Sequence, residues 1–224
     1  MIAAEGATRA HVGDLAVHPV VEVFADVVCP FAHVGLRRFV SRRAELGLEV
    51  PVLRVRAWPL ELVNARPFDA HQVAQHVAEL RDTVAADLFT RFTPLAVPST
   101  SLPAFALAAQ AYATGDRVGE AVSLALRAAL FDEGRNVADP EVLAEIAARF
   151  GLGETSVAPQ HAYETDYAEG RRRGVQGSPH FYVGDRDFFC PALRIDRRPD
   201  ELTITPRPER IDALLDECFP LREG

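Results

Sequence analysis

The spacing of apolar residues changes character along the chain. Val20 to Phe24 is a short run rich in β-branched residues and reads as a buried strand. The turn Asp26-Val27-Val28-Cys29-Pro30 follows. Proline suits the first turn of a helix, because its missing N–H would have had no partner there. From Phe31 to about Leu46 the residues Val34, Leu36, Phe39 and Val40 recur at helical spacing, and Gly47 ends the pattern. Glu49 to Ala57 alternates like a second strand. The first unit is therefore strand, helix, strand, with Cys29 at the strand-to-helix turn. Two parallel strands joined by a helix form a right-handed crossover.

Residues 68–173 are Ala- and Leu-rich. Their periodicity predicts helices near 69–91, 102–114, 117–132, 139–150 and 158–173, with Pro140 in a first turn after a cap at Asp139. The apolar stripes of these helices read as core positions rather than as a cofactor site. Strand signals return after Gly174-Val175-Gln176-Gly177-Ser178-Pro179. His180–Val183 and Asp187–Cys190 form a hairpin around Gly184-Asp185. The proline-rich stretch Arg197–Pro208 reads as a loop, and Ile211–Phe219 as a closing helix. The expected fold class is α/β. Its core comprises residues 20–67 and 174–224, residues 68–173 are a helical insertion, and residues 1–19 are a flexible tail.

The chain has 224 residues and a net charge of −8. An acidic chain lacks the basic face that binding to nucleic acid requires, so no nucleic-acid partner is expected. All 24 cationic residues are arginine, which excludes a P-loop lysine, a Schiff-base lysine and a Ser–Lys pair. The Arg, Ala, Val and Pro bias points to a GC-rich genome. No apolar stretch reaches the ~18–20 residues that span a bilayer, and Glu5, Arg9, His11 and Asp14 interrupt any signal-peptide core. A cytoplasmic location without membrane association follows as an expectation, and structural disulfides are rare there. The three cysteines, Cys29, Cys190 and Cys218, are far apart and have no zinc-finger spacing, so no metal is expected.

Cys29 is the main candidate for chemistry. At a helix N-terminus it would face unpaired N–H groups and the positive end of the helix dipole, which favour the thiolate. A buried, inert cysteine is the alternative.

Cys29-Pro30-Phe31-Ala32 follows a strand and opens a helix. Much later, Val175-Gln176-Gly177-Ser178-Pro179-His180-Phe181 leads into another strand. On these residues the chain, over about 20–219, resembles the DsbA-like branch of the thioredoxin superfamily. That branch includes FrnE-type proteins, 2-hydroxychromene-2-carboxylate isomerases and kappa-class glutathione transferases. The resemblance implies a thioredoxin-like core, a cis proline at Pro179 beside the catalytic residue, and a Ser178 backbone that pairs with substrate. One departure matters. Redox members carry Cys-x-x-Cys, and here the second position is Ala32, which cannot close a disulfide. The isomerase and transferase members also lack the pair and use serine where Cys29 stands.

Further candidates follow. Cys190 returns along the hairpin towards Pro179 and is a candidate resolving thiol, although one more strand spacing of ~5 Å separates it from the Cys29 strand. A half-buried strand residue is the other reading of Cys190. Cys218 reads as core. His33 lies one turn after Cys29, either near the sulfur or in solvent. Asp26 could exchange protons with it or cap a turn. His180 could point towards or away from Cys29. Pro30, Phe31, Ser178, Pro179, His180 and Trp58 are the candidate substrate contacts. Phe68, Phe89, Phe92 and Phe105 line either a pocket or the core. His71, His76 and His161 read as surface residues. Arg171, Arg172 and Arg173 could hold an anion or end a solvated helix.

Three functions fit. The first is an isomerase or transferase in which Cys29 adds reversibly to a conjugated small-molecule or carrier-tethered substrate, with His33 or Asp26 moving the proton and no cofactor required. The second is a monothiol oxidoreductase that uses a low-molecular-weight thiol, mycothiol in an actinobacterium or glutathione otherwise. The third is a non-catalytic binding module. The sequence leaves a homodimer open.

Overall fold

The computed structural model describes residues 20–153, 161–198 and 201–219. The expected tail over 1–19 lies outside them.

A four-stranded sheet has the order β2-β1-β3-β4, from β1 (Val20–Ala25), β2 (Val52–Ala57), β3 (His180–Val183) and β4 (Arg186–Phe189). β1 and β2 are parallel, with Val23 opposite Val55. β3 is antiparallel to both β1 and β4. Helix α1 (Pro30–Glu45) joins β1 to β2. Its Val34, Leu36 and Phe39 are buried with Val21 and Val23, and Phe39 meets Phe181 with ring centroids 6.1 Å apart. The second strand starts at Val52 rather than Glu49, immediately after Pro51, which has no N–H for a ladder.

The helices between β2 and β3 are α2 (Leu60–Val63), α3 (Ala70–Thr83), α4 (Leu102–Thr114), α5 (Asp116–Phe131), α6 (Pro140–Arg149) and α7 (His161–Arg172), with a 3-10 turn at Pro94–Ala96. The helix expected to reach residue 91 stops at Thr83. The segment after it is held by Asp132, whose carboxylate accepts from the Phe89 N–H at 2.8 Å, and by Arg38, which pairs with Asp87. Helix α2 had no periodic signal because it is a single turn.

The insertion is attached to the sheet through the free edge of β2. An edge strand presents unpaired N–H and C=O groups that need partners. Glu120 on α5 accepts from the Leu53 N–H at 2.6 Å and forms an ion pair with Arg43. The Tyr112 hydroxyl on α4 accepts from the Val55 N–H at 2.7 Å and donates to the Leu53 carbonyl at 3.0 Å. Asp166 on α7 accepts from the Ala57 N–H at 2.9 Å. Three side chains from three helices thus take the place of a fifth strand. Gly119 is what lets Tyr112 lie there, since a Cβ at this position would sit 2.0 Å from the ring.

The expected loop over 197–208 is corrected. Residues Leu193–Arg198 and Glu201–Pro206 form β5 and β6, a separate antiparallel hairpin with Ile195 opposite Ile204. Proline density suggested a loop, but the prolines Pro206 and Pro208 fall at the strand end and at the start of α8 (Pro208–Glu217). The alternation of Leu193 with Ile195, and of Leu202 with Ile204, prevails. The closing helix packs on α1.

Candidate active site

β1 delivers the chain to a tight turn over Asp26–Cys29. The Asp26 carboxylate accepts from the Val28 N–H at 2.8 Å, and the Asp26 carbonyl accepts from the Cys29 N–H at 3.4 Å. Cys29 is the N-cap of α1, with Pro30 in the first helical turn. Its Sγ lies 3.1 Å from the Ser178 carbonyl oxygen, the geometry of a thiol donating a hydrogen bond. The Ser178–Pro179 peptide is cis, and the Ser178 Oγ accepts from the Asp26 N–H at 2.9 Å. Gly35 brings α1 close to this loop, since a Cβ there would lie 3.2 Å from Pro179 Cγ.

Cys29 is 4% exposed. Burial pushes its thiol pKa up, and the Asp26 charge adds to the rise. The Ser178 side chain and the Ala32 and Phe31 N–H groups pull it down. The expected thiolate is therefore corrected: the helix N-terminus acts in the foreseen direction, but desolvation outweighs it. Asp26 is fully buried, and its carboxyl is raised to about 6 by burial, against the opposing Val28 and Leu60 N–H groups and the Arg127 charge. Leu60 N–H lies 2.6 Å from Oδ2, and the Ser101 hydroxyl donates to the same oxygen at 3.3 Å.

Cys29 opens on a cavity of about 250 Å³. Pro30, Phe31 and Ser178 line it, as expected for candidate contacts. So do Leu60, Asn64, Arg66, Phe68, Gln72, Val73 and His76 from the α2–α3 segment. His76 is not a simple surface residue, because its ring meets Phe31 at 5.1 Å. Most of this wall was not legible in the sequence, because α2 and the irregular chain after it carry no periodicity.

The match to known families identifies the scaffold. Residues 20–203 match the DSBA-like thioredoxin domain. The chain belongs to that family. Solved structures share the fold. A probable DsbA oxidoreductase from Streptomyces coelicolor superposes with a TM-score of 0.62 at 20% identity, covering 92% of each chain. A 2-hydroxychromene-2-carboxylate isomerase gives 0.57 at 16%, covering 76% of this chain and 88% of that one. The cytosolic disulfide reductase DsbM from Pseudomonas aeruginosa gives 0.52 at 21%, covering 88% and 97%. No match was found among curated proteins.

Within this DsbA-like domain, Ala32 is fully buried three residues after Cys29. Several expected contacts lie elsewhere. His33 is neither in solvent nor on the cavity wall. Its ring is buried between Phe89 and Phe131, with Nε2 3.3 Å from Asp132 Oδ1. Trp58 packs with Phe24 and Tyr167 in a separate aromatic cluster. His180 points away from Cys29, with Nε2 2.8 Å from Asp187 and its ring against Tyr182. Phe89 and Phe92 pack on Phe131 in the core, and Phe105 is also core. The arginine cluster is not at the cavity either. Arg172 pairs with Glu169, and Arg173 pairs with Glu22 and lies 3.9 Å over the Tyr182 ring. His71 bonds Gln75 at the surface, and the side chain of His161 lies outside the described residues.

All three cysteines are free. Cys190 is buried just after β4, and its N–H donates to the Pro179 carbonyl at 3.0 Å. Its thiol pKa is raised to about 12, by burial first and by Cys29 second. The Cys218 thiol donates to the Leu214 carbonyl within α8. Among the described residues, no helix is long and apolar enough to cross a membrane.

Proposed function

We propose that the protein is an enzyme in which the single thiol of Cys29 adds reversibly to a conjugated substrate, as in cis–trans isomerisation of an activated double bond. The observation that carries this reading is a sulfur at a cavity of about 250 Å³ with Ala32, not a second thiol, one turn along the same helix. A cavity of that size, with the sulfur nearly closed off, suits a small or carrier-tethered molecule. Cys29 forms a carbon–sulfur bond at the β-carbon of an enone or unsaturated thioester. Its proton passes to Asp26 and then to the substrate, at the enolate oxygen or α-carbon. The former double bond is now single and rotates. Elimination re-forms the double bond, and the thiol regains its proton. Nothing is oxidised or reduced, and no cofactor is required.

The test is incubation with a conjugated enone or polyene thioester, with mass spectrometry of the Cys29 peptide and assay of isomer composition. An adduct at Cys29 supports the reading. No adduct, together with full activity in Cys29→Ala, overturns it.

One observation favours a second reading. The Cys29 Sγ rests on the Ser178 carbonyl, and the backbone N–H of Cys190 donates to the next carbonyl, that of Pro179. This arrangement suits a mixed disulfide between Cys29 and mycothiol or glutathione, released by a second thiol. Failure of any such mixed disulfide to turn over removes that reading.

A further inference from the structure

Among the described residues, Arg127 is one of the largest fully buried side chains, and no carboxylate is hydrogen-bonded to it. It projects from α5. One terminal nitrogen donates to the Ser123 carbonyl at 2.9 Å, the other donates to the Asp26 carbonyl at 3.2 Å, and Nε has no hydrogen-bond partner among the described residues. A buried guanidinium satisfied only by carbonyls is costly unless its charge acts on something nearby. The Asp26 carbonyl oxygen that holds Arg127 is also the acceptor of the Cys29 N–H. The guanidinium is thus no further from the Cys29 backbone than two hydrogen bonds laid end to end.

We propose that Arg127 is a positioning residue of the Cys29 site: its buried positive charge supports the ionised sulfur, and the Asp26 carboxylate opposes it until it takes up a proton. This rests on the reading of Cys29 as the reacting sulfur. Asp26 and Cys29 come from the β1–α1 turn, and Glu61 of α2 adds negative charge near Asp26. Tyr112 of α4 and His33 of α1 also feel Arg127. Ser101 and Ser123 contribute only neutral dipoles. When Cys29 loses its proton to become a nucleophile or a leaving group, Arg127 is the cation already in place.

A unit charge at about 7 Å, in a medium of effective dielectric about 20, shifts a titration by one to two pH units. The experiment follows the alkylation of Cys29 by iodoacetamide across alkaline pH, by mass spectrometry of its peptide. A parallel ultraviolet titration of the thiolate uses Cys29→Ser as blank and needs no reagent access. Arg127→Met is expected to slow alkylation about tenfold below the midpoint and to move the midpoint up by about one unit, while Arg127→Lys, which keeps the charge, stays near the parent. Asp26→Asn leaves the Arg127 charge unopposed and is expected to move the midpoint down. An unmoved midpoint in folded Arg127→Met overturns the proposal. An unmoved or raised midpoint in Asp26→Asn overturns the opposing role of Asp26, and if Arg127→Met does not fold, an unmoved midpoint in Arg127→Gln, which keeps polar contacts without the charge, overturns the role of Arg127. A Cys29 that titrates but forms no substrate adduct counts against the proposed reaction and not against Arg127.

Discussion

The sulfur of Cys29 lies 3.1 Å from the carbonyl oxygen of Ser178, a residue 149 positions later in the chain. The contact links the turn after β1 to the loop before β3, the two central strands of the sheet, and it sets the sulfur as a hydrogen-bond donor. A thiol can donate to a carbonyl, and a thiolate cannot. In the reaction proposed above, the sulfur would therefore start protonated and be ionised in place. Burial raises the Cys29 pKa above its usual value of 9.0. For an acid raised in this way, the folded state holds its proton longer than the unfolded chain does. The stability it contributes is present below the unfolded pKa and is lost as pH rises through the folded one. Alkylation of Cys29 in the folded protein should show a higher pH midpoint than in urea, and Cys29→Ser should lose less stability than the parent as pH rises. Equal midpoints would show that the site does not hold the proton.

Asp26 predicts an effect in a lower pH window. Its carboxyl is raised from 3.8 to about 6, with burial as the largest cause. The protonated acid is favoured in the fold, so the stability it contributes is full below about pH 4 and falls away between about pH 4 and pH 6. Asp26→Asn does not titrate and escapes that loss. Measured by urea unfolding, the variant should gain on the parent as pH rises from 4 to 7, by an amount on the order of 3 kcal/mol. A constant difference across that range would contradict the raised value.

His33 and Asp132 act in the opposite sense. Burial lowers the His33 pKa despite the pull of Asp132, so the ring is neutral and donates from Nε2. A lowered histidine contributes stability above its unfolded pKa, and that contribution is lost as pH falls through the folded value. His33→Phe, placed between Phe89 and Phe131, should flatten the loss of stability below about pH 6 without changing the Cys29 alkylation rate at neutral pH. A slower Cys29 in this variant would return His33 to the chemistry.

The edge of β2 gives a stability prediction. Tyr112→Phe removes one oxygen and leaves the Val55 N–H and the Leu53 carbonyl without their partner. An unsatisfied buried backbone group costs about 1–3 kcal/mol, and urea unfolding should show a loss in that range. Gly119→Ala, whose new methyl would meet the Tyr112 ring, should cost at least as much. No loss in either variant would mean that the insertion docks without these contacts.

These cases show where the sequence was legible. The first strand, Cys29 and its helix could be read because each depends on residues next to it: an apolar run, then Pro30, then helical spacing up to Gly47. Tyr112 and Glu120 could not be read, because the N–H groups they satisfy belong to residues 57 and 67 positions away. Nothing local to Arg127 marks it, and only the packing of α5 behind Asp26 turns it inward. The β5–β6 hairpin was obscured by a proline-rich stretch in which Pro206 sits at the strand end and Pro208 just beyond it. Trp58 was a candidate contact for its apolar surface and His33 was placed either near the sulfur or in solvent, yet Trp58 packs on Phe24 and Tyr167 and the His33 ring lies between Phe89 and Phe131.

The last prediction separates addition from disulfide exchange. Ala32 is fully buried in the first turn of α1, at the position where a Cys-x-x-Cys pattern starting at Cys29 would place its second cysteine. Ala32→Cys adds one sulfur on the same helical face as Cys29, at i+3, where side chains are neighbours. Under a disulfide oxidant such as oxidised glutathione, the variant should close a bond to Cys29. Two thiols lose their protons and two electrons, and the glutathione disulfide accepts both to become two thiols. The variant should then gain the ability to reduce or oxidise a model dithiol peptide and should lose the isomerisation proposed for the parent, because Cys29 is held in the new bond. If the parent already exchanges disulfides as fast as the variant, Cys29 does not need Ala32 replaced, and the oxidoreductase reading takes precedence over addition.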